Sequence, residues 1–222
     1  MPTVLITGAN RGMGLEWARA FHERGWRVLG TARDVTHASE LKAIADDVYA
    51  CDVSDDASVF SLGRALETDS VDLLINNAGV LLRDDLQGAD SDTLTHQFNI
   101  NALGPLRVVQ SLLPALQRSQ SARVVNITSR MGSIADNTSG AMYGYRASKA
   151  ALNMITRSLA LDLGPDIHVL ALHPGFVQTE MTRGHGDVTP VQAVTRMMTL
   201  VDALGPEMSG RFYHRDGHEL PW

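Results

Sequence analysis

Residues 3–14 read TVLITGANRGMG, an apolar run that passes without a break into a glycine-rich turn. The apolar run favours a buried strand, and Gly8, Gly12 and Gly14 favour a tight turn that opens a helix. The backbone N–H groups of such a turn, together with the positive end of the helix dipole, are suited to hold a pyrophosphate. The spacing GxxxGxG differs from the GxGxxG dinucleotide fingerprint, so the turn alone is a weak indication of a ligand.

Apolar runs and amphipathic segments alternate to the end of the chain, which is typical of βαβ units in a parallel sheet. Seven runs are predicted as strands: residues 3–7, 27–31, 47–51, 71–75, 123–128, 167–172 and 211–214. Five helices are predicted between them: residues 14–24, 55–66 with Ser54 as N-cap, 92–117, 145–163, and 191–204 opened by Thr189-Pro190. We therefore expect a single domain, residues 1–222, with an α/β fold: a doubly wound parallel sheet covered by helices on both faces.

The composition excludes disordered and fibrous proteins, since 44% of the 222 residues are hydrophobic and 20% are charged. The net charge is −6 and the basic residues are scattered, so we expect no nucleic-acid partner. No apolar stretch reaches membrane-spanning length, and the single cysteine, Cys51, fits a reducing compartment; we expect a cytoplasmic protein. His214 and His218 flank a predicted turn without a third ligand nearby, so we expect no metal site.

Polar residues follow the predicted strands, at the edge where open α/β sheets bind ligands. Arg33 and Asp34 follow the second strand, where a residue would meet the ribose of an adenosine. Asp52 follows the third strand, and its carboxylate could accept from an adenine amino group. The fourth strand runs into NNAG, residues 76–79, whose small residues would let a flat ring approach the backbone. Each segment could instead be a simple turn, and Asn76 could merely join neighbouring strand ends through its amide.

Tyr145 and Lys149 lie four residues apart in a predicted helix, so they share one face. An ammonium beside a phenol favours the phenolate and would bring its pKa down from about 10. Tyr143 is six residues from Lys149 and faces elsewhere. Of the 19 basic residues only Lys42 and Lys149 are lysines, and Ser129 adds a hydroxyl at the end of the fifth strand. We interpret the pair as a general acid/base; the alternative is a surface lysine beside a packed tyrosine.

The turn at 7–14, the NNAG segment, Ser129, the YxxxK pair and PGFVQT at 174–179 occur in the order found in one enzyme family. Over its whole length the chain resembles the short-chain dehydrogenase/reductase family, and most of all its small carbonyl-reductase-like and C-factor-like members. The resemblance implies a Rossmann-type sheet, a nicotinamide cofactor, and hydride transfer between a carbonyl and an alcohol on a small-molecule substrate.

The resemblance also implies roles for individual residues. Tyr145 would protonate the carbonyl oxygen, Ser129 would hydrogen-bond that oxygen, and Lys149 would lower the tyrosine pKa and hold the nicotinamide ribose. Asn101 matches the family asparagine that supports a water leading to the lysine; Asn99 competes for this role, although the NxxG pattern favours Asn101. Besides Tyr145 and Lys149, the residues implied to contact the cofactor are Gly8, Asn10, Arg11, Gly12, Met13, Gly14, Arg33, Asp52, Val53, Asn77, Ala78, Gly79, Pro174, Gly175, Val177 and Thr179.

The choice between NADP(H) and NAD(H) depends on the register at the end of the second strand. NAD-using members typically have Asp where this chain has Ala32, and Arg33 comes next. Arg33 and Arg11 would then converge on the 2′-phosphate, which predicts a preference for NADP(H). If the strand ended one or two residues later, Asp34 would face the ribose and NAD(H) would be preferred.

Two other functions compete with the oxidoreductase. One is a nucleotide-binding signalling or regulatory protein of the C-factor type with incidental turnover, and the other is a nucleoside-dependent transferase. Neither needs Ser129, Tyr145 and Lys149 together, so the sequence favours the enzyme. The resemblance further implies a homodimer or homotetramer joined through the helices near 103–117 and 145–163. The loop 130–142 and the short segment 180–188 are expected to shape the substrate pocket.

Overall fold

All strands of the protein lie side by side in one sheet, as a computed structural model of all 222 residues describes it. The sheet has the order β3-β2-β1-β4-β5-β6-β7, and every neighbouring pair is parallel. The predicted α/β fold with a doubly wound parallel sheet is confirmed. The strands are β1 (Thr3–Ile6), β2 (Arg27–Ala32), β3 (Asp47–Ala50), β4 (Leu73–Asn76), β5 (Arg123–Ile127), β6 (His168–His173) and β7 (Phe212–His214).

Helices cover both faces of the sheet and bury two apolar cores. One core contains Trp17, Phe21 and Met197 of the helices on one face, and the other contains Leu62 and Leu112 on the opposite face. The helices are α1 (Gly12–Glu23), α2 (Ser39–Lys42), α3 (Asp56–Ala65), α4 (Ser91–Phe98), α5 (Gly104–Gln117), α6 (Tyr143–Leu163) and α7 (Pro190–Ala203). No helix has the length and apolar character needed to cross a bilayer.

The predicted helix 92–117 is interrupted. A π-helical segment, Asn99–Leu103, separates α4 from α5, and Pro105 lies in the first turn of α5. At Gly104 the helix approaches the residues after β3 so closely that a Cβ would lie 2.9 Å from Cγ2 of Val53. Apolar periodicity does not register such a change of winding, because it leaves the buried face continuous.

Two smaller details differ from the sequence-based expectation. Ser54 does not cap α3; Asp55 does, because its carboxylate accepts from the backbone N–H of Ala57. The Ser54 hydroxyl instead donates to Asp52 at 2.6 Å. The four-residue helix α2 was not predicted, since a single turn is too short to show a 3.6-residue period. The cap predicted at Thr189 is confirmed as a capping box with Gln192.

The order of the strands reverses direction between β1 and β4, which are neighbours although two strands separate them in sequence. Loops from the carboxyl ends of these strands leave the sheet to opposite sides, which opens a crevice above that point. The segment 76–79 follows β4 and the glycine turn follows β1, so both lie at the crevice.

Candidate active site

Two adjoining cavities lie at the carboxyl edge of the sheet. The larger, about 560 Å³, lies over the ends of β1, β2 and β3, and the smaller, about 390 Å³, lies over the ends of β5 and β6. They are continuous in their walls, because Met13, Asn77, Gly79 and Thr179 line both. Together they form one elongated crevice at the position where this class of sheet binds ligands.

The glycine turn borders the larger cavity, and its glycines have positive φ or close backbone packing. Gly8 and Gly12 have positive φ of 63° and 54°. A Cβ on Gly14 would lie 2.2 Å from the carbonyl oxygen of Gly8 and 2.6 Å from Nδ2 of Asn77. No side chain caps the first turn of α1, whose residues Gly12, Met13 and Gly14 line the cavity. The turn thus presents backbone and helix dipole to the crevice, as a phosphate site requires.

Asn77 and Thr7 join the ends of β1 and β4. The Asn77 amide donates to the carbonyl oxygens of Thr7 and Gly8 at 3.0 and 3.1 Å. The Thr7 hydroxyl accepts from the backbone N–H groups of Asn77 and Ala78. Asn76 has the structural role that was left open: its Nδ2 donates to Oδ1 of Asn126 at 2.9 Å on the neighbouring strand. These contacts hold the floor of the crevice rigid.

Ser129, Tyr145 and Lys149 meet at the smaller cavity and line it together. Tyr145 and Lys149 are buried, with 7% and 5% of their surface exposed. The ammonium of Lys149 donates to the carbonyl oxygen of Ile127 at 2.8 Å and lies 5.8 Å from the centroid of the Tyr145 ring. Tyr145 and Lys149 therefore share one face of α6, as predicted, and both side chains line the smaller cavity.

The pKa expectation for this pair is wrong for the chain by itself. Burial raises the pKa of Tyr145 to about 12, although the Ser129 hydroxyl opposes the shift. Burial lowers the pKa of Lys149 to about 8. Removal of water penalises both charged forms, and at this distance the ammonium does not outweigh that penalty on the phenolate.

Asn101 is fully buried in the π-helical segment and connects two elements of the crevice. Its Oδ1 accepts from the N–H of Val80 at 2.8 Å, and its Nδ2 donates to the carbonyl oxygen of Val80 and to the Ser148 hydroxyl. Asn99 instead donates to the carbonyl oxygen of Ser54, away from the smaller cavity. Of the two candidates, Asn101 is the one that contacts α6, the helix that carries Tyr145 and Lys149.

At the other end of the crevice, Asp34 lines the larger cavity beside Arg33, but its carboxylate is engaged by its own loop. Its carboxylate accepts from the N–H and hydroxyl of Thr36 and lies 2.7 Å from Nδ1 of His37. These contacts lower the pKa of Asp34 to about 2. β2 ends at Ala32, and the neighbouring Arg33 lines the larger cavity without an ion-pair partner. Arg11 also lines this cavity, but its guanidinium pairs with Glu180 at 2.5 Å across the mouth.

The other predicted residues divide between the two cavities. Asn10, Asp52, Val53 and Ala78 line the larger cavity, and Pro174, Gly175 and Val177 line the smaller. Gly175 has φ of 83°, and Arg215 packs against it while donating to the carbonyl oxygen of Pro174.

His173 was missed by the sequence analysis. It ends β6, lines the smaller cavity and has its pKa lowered to about 3, mainly by burial. The rule that functional residues follow strand ends was a signal that could have found it.

Comparisons with known proteins agree with this arrangement. A family model described as short chain dehydrogenase matches residues 2–188. The 1-hydroxy-2-glutathionyl-2-methyl-3-butene dehydrogenase of Rhodococcus sp. is 40% identical, with both chains covered completely. The C-signal protein of Myxococcus xanthus is 48% identical over 70% of this chain and 95% of its own length. The NADPH-bound carbonyl reductase from chicken fatty liver is 31% identical with a TM-score of 0.92, covering 100% of this chain and 99% of that one. The chain belongs to the short-chain dehydrogenase/reductase family of oxidoreductases.

Proposed function

We propose that the protein is an NADP(H)-dependent oxidoreductase that interconverts a carbonyl and an alcohol on a small-molecule substrate. The observation that carries the proposal is the convergence of Ser129, Tyr145 and Lys149 on a cavity continuous with the glycine turn. The Rhodococcus relative is named as a dehydrogenase of a hydroxy compound, and the chicken relative is a carbonyl reductase with NADPH bound. Both support this reaction class, and the second supports the cofactor.

The crevice fits a dinucleotide on its own geometry. Gly14 packs directly against the carbonyl oxygen of Gly8, and at Gly79 a Cβ would lie 3.1 Å from Oδ1 of Asn101 and 3.8 Å from Nζ of Lys149. Both glycines line the crevice, so at these positions it is bordered by backbone without side chains. Arg33 and Arg11 supply positive charge at the end remote from Tyr145. We propose that they bind the 2′-phosphate and so select NADP(H) over NAD(H).

When bound, the nicotinamide would supply a hydride to the carbonyl carbon or accept one from an alcohol. The hydroxyl of Tyr145 gives its proton to the carbonyl oxygen during reduction and takes it back during oxidation. The hydroxyl of Ser129 holds the same oxygen, which fixes the carbonyl at the reacting distance. Burial of Tyr145 supports this assignment, because it keeps the phenol protonated and the reacting oxygen away from bulk water.

Lys149 and Asn101 do not react with the substrate in this proposal; they fix the charge and the helix beside Tyr145. The contact between Lys149 and the carbonyl oxygen of Ile127 holds the ammonium at the wall shared with Tyr145. Oxidation of an alcohol requires the phenolate form of Tyr145. The positive charge of Lys149 favours this form when a bound ligand offsets part of the cost of removing water from the tyrosine. Asn101 is a positioning residue, since it ties Val80 to Ser148 on the catalytic helix.

We further propose a homodimer or homotetramer that works in the cytoplasm without nucleic-acid or membrane partners. Helix α6 exposes 67% of Met154 and 65% of Leu161, an apolar surface of the kind that subunit contacts bury. The net charge of −6 disfavours binding to nucleic acid, and the unpaired, buried Cys51 fits a reducing compartment. Light scattering that finds only monomer at micromolar concentration would overturn the assembly.

The second candidate is a nucleotide-binding regulatory protein, which the 48% identity to C-signal favours. The two candidates differ in turnover. Purified protein is mixed with a panel of carbonyl compounds and alcohols, and the nicotinamide absorbance is followed. We expect turnover with NADPH or NADP⁺ that Tyr145→Phe abolishes. Cofactor binding without turnover of any compound would overturn the enzyme and leave the regulatory protein.

A further inference from the structure

The smaller cavity carries charged groups of only one sign. Arg83, Arg130 and Lys149 line it, and none of the 25 aspartate and glutamate residues does. Yet the whole chain has a net charge of −6, so a random wall would hold more acids than bases. The ammonium of Lys149 donates to the carbonyl oxygen of Ile127 and has its role beside Tyr145 in the proposed reaction. The two arginines are not used by the mechanism.

Arg83 is held in place while its guanidinium stays free. The next residue, Asp84, accepts from the backbone N–H groups of Tyr143 and Gly144, and its carbonyl oxygen accepts from Met142. The loop after β4 is thereby fixed to the start of α6, the helix that carries Tyr145. Arg83 lines the cavity, and its guanidinium forms no ion pair and no hydrogen bond with the protein. Its five N–H donors remain available to a ligand.

Arg130 is also positioned and only partly used. It directly follows Ser129, in the 3₁₀ turn Arg130–Gly132. Its Nε donates to Asp136 at 2.7 Å, while its Nη1 and Nη2 bond to nothing in the protein. Asp136 does not line the cavity, so it orients the guanidinium from behind. The outward nitrogens have the planar fork geometry that matches a carboxylate.

The rest of the cavity is largely apolar. Met131, Met142, Phe176 and Met181 line it, and flexible methionines adapt to ligands of varied shape. A volume of about 390 Å³ falls in the range of about 300–1,000 Å³ typical of pockets for organic ligands. The cavity therefore combines a reacting end at Ser129 and Tyr145, an apolar body, and two arginines without an acid among its lining residues.

We propose that the preferred substrates are carbonyl or alcohol compounds that carry a carboxylate, which Arg83 and Arg130 bind while the reacting carbon lies at Ser129 and Tyr145. The inference rests on the proposed function, since it takes that end of the cavity as the reacting end. Because the arginines are partly solvated, with 62% of the Arg130 side chain exposed, each contact is worth a few-fold in affinity.

The test compares each acid with its own neutral ester. The substrates are 4-formylbenzoate and 4-(4-formylphenyl)butanoate, which place the carboxylate at two distances, and their methyl esters. With NADPH we expect kcat/KM at least about tenfold higher for the acid of at least one pair. The ratio should fall about three- to tenfold in Arg83→Gln and in Arg130→Gln, and approach one in the double variant. It should also shrink as salt screens the contact.

Arg118→Gln is the matched control. It removes one positive charge from the exposed end of α5, outside both cavities and outside any ion pair. We expect this variant to keep the wild-type preference for the acid. Equal rates for acid and ester at both lengths, or a ratio that falls as much in Arg118→Gln as in the cavity variants, would overturn the inference.

Calorimetry separates failure of this inference from failure of the proposed function. Binding of 4-methylbenzoate and of methyl 4-methylbenzoate, neither of which can react, is measured with NADP⁺ present. If no aldehyde is reduced but the acid binds more tightly and loses affinity in Arg83→Gln and Arg130→Gln, the anion site stands and the proposed reaction fails. If the esters are reduced without preference for the acids, the reaction stands and the anion site fails. Absence of both turnover and acid binding overturns both.

Discussion

The Nζ of Lys149 lies 2.8 Å from the carbonyl oxygen of Ile127, so this side chain of α6 is hydrogen-bonded to the last residue of β5. The bond gives the buried ammonium one acceptor and holds it 5.8 Å from the ring centroid of Tyr145. Ser129 follows the same strand two residues later. The strand thus places Ser129 and holds the amine of Lys149, while α6 carries Tyr145 and Lys149 four residues apart.

Replacement of Tyr145 by phenylalanine should separate proton transfer from packing. The ring still fills its buried position, so we expect folding and NADPH affinity close to wild type. The rate of carbonyl reduction should fall about 10²-fold or more, because the transferable proton is gone. Steady-state kinetics and a fluorescence titration of NADPH measure the two effects.

Tyr143→Phe is the control for this prediction, since it removes the same hydroxyl two residues earlier from a side chain that lines neither cavity. We expect it to keep the wild-type rate. Activity of Tyr145→Phe within a few-fold of wild type would contradict the role of the tyrosine.

Lys149 should make stability depend on pH above neutrality. Burial lowers its pKa from 10.5 to about 8 in the folded protein, so between these values the unfolded chain binds a proton that the folded chain does not. The free energy of unfolding should therefore gain a positive slope with pH in this window, and the gain is lost as pH falls towards 8. In Lys149→Met this contribution disappears. The free energy of unfolding of the wild type should therefore rise relative to that of the variant between pH 8 and pH 10.

Urea unfolding at several pH values measures that difference. Lys42→Met is the matched control, because Lys42 is the only other lysine and lies exposed on α2. Its unfolding curve should run parallel to that of the wild type over the whole range. Parallel curves for Lys149→Met would mean that the amine is not desolvated in the folded protein.

The positions of the strands and the residues of the crevice could be predicted because both follow from short apolar runs and from the residues that come directly after them. Seven apolar runs predicted seven strands, and the residues after them line the cavities at Arg33, Asp52, Asn77 and Ser129. In a parallel sheet all strand ends lie on one edge, so sequence position alone brings such residues together. Their order along the chain gave the family as well.

The properties that escaped prediction all depend on what packs against a residue. The pKa of Tyr145 is set by burial, which no spacing reveals. The contact of Asn101 with Val80 and the ion pair of Arg11 with Glu180 join residues far apart in the chain. The apolar residues continue through the π-helical segment, so their pattern does not predict the interruption between α4 and α5.

Gly14 should be required for cofactor binding because of its lack of a side chain. A Cβ there would lie 2.2 Å from the carbonyl oxygen of Gly8, so Gly14→Ala forces the turn to shift. We expect NADPH affinity to fall about tenfold or more. The melting temperature should also fall, because the shifted turn packs less well. Gly205→Ala is the control, since its Cβ would meet nothing closer than 3.9 Å. A turn that tolerates alanine at position 14 with unchanged NADPH affinity would contradict the phosphate-binding role.

Arg33 should determine which dinucleotide the protein prefers. β2 ends at Ala32, and the next two residues both line the larger cavity: Asp34 caps the 3₁₀ turn Val35–His37, whereas Arg33 has no ion-pair partner. A carboxylate already satisfied by Thr36 and His37 is poorly placed to bind both ribose hydroxyls. An unpaired guanidinium in that cavity is suited to a 2′-phosphate. We expect wild-type protein to bind NADPH more tightly than NADH in fluorescence titrations.

The same titrations on variants divide that preference between the two arginines. Arg33→Gln should weaken NADPH binding about tenfold, equivalent to about 1.4 kcal/mol, while NADH affinity changes less than twofold. Arg11 is paired with Glu180, so Glu180→Gln should release it and tighten NADPH binding a few-fold. The control Arg118→Gln should change neither affinity. Equal or tighter binding of NADH by the wild type would contradict the role of Arg33 and favour Asp34 as the residue that meets the ribose.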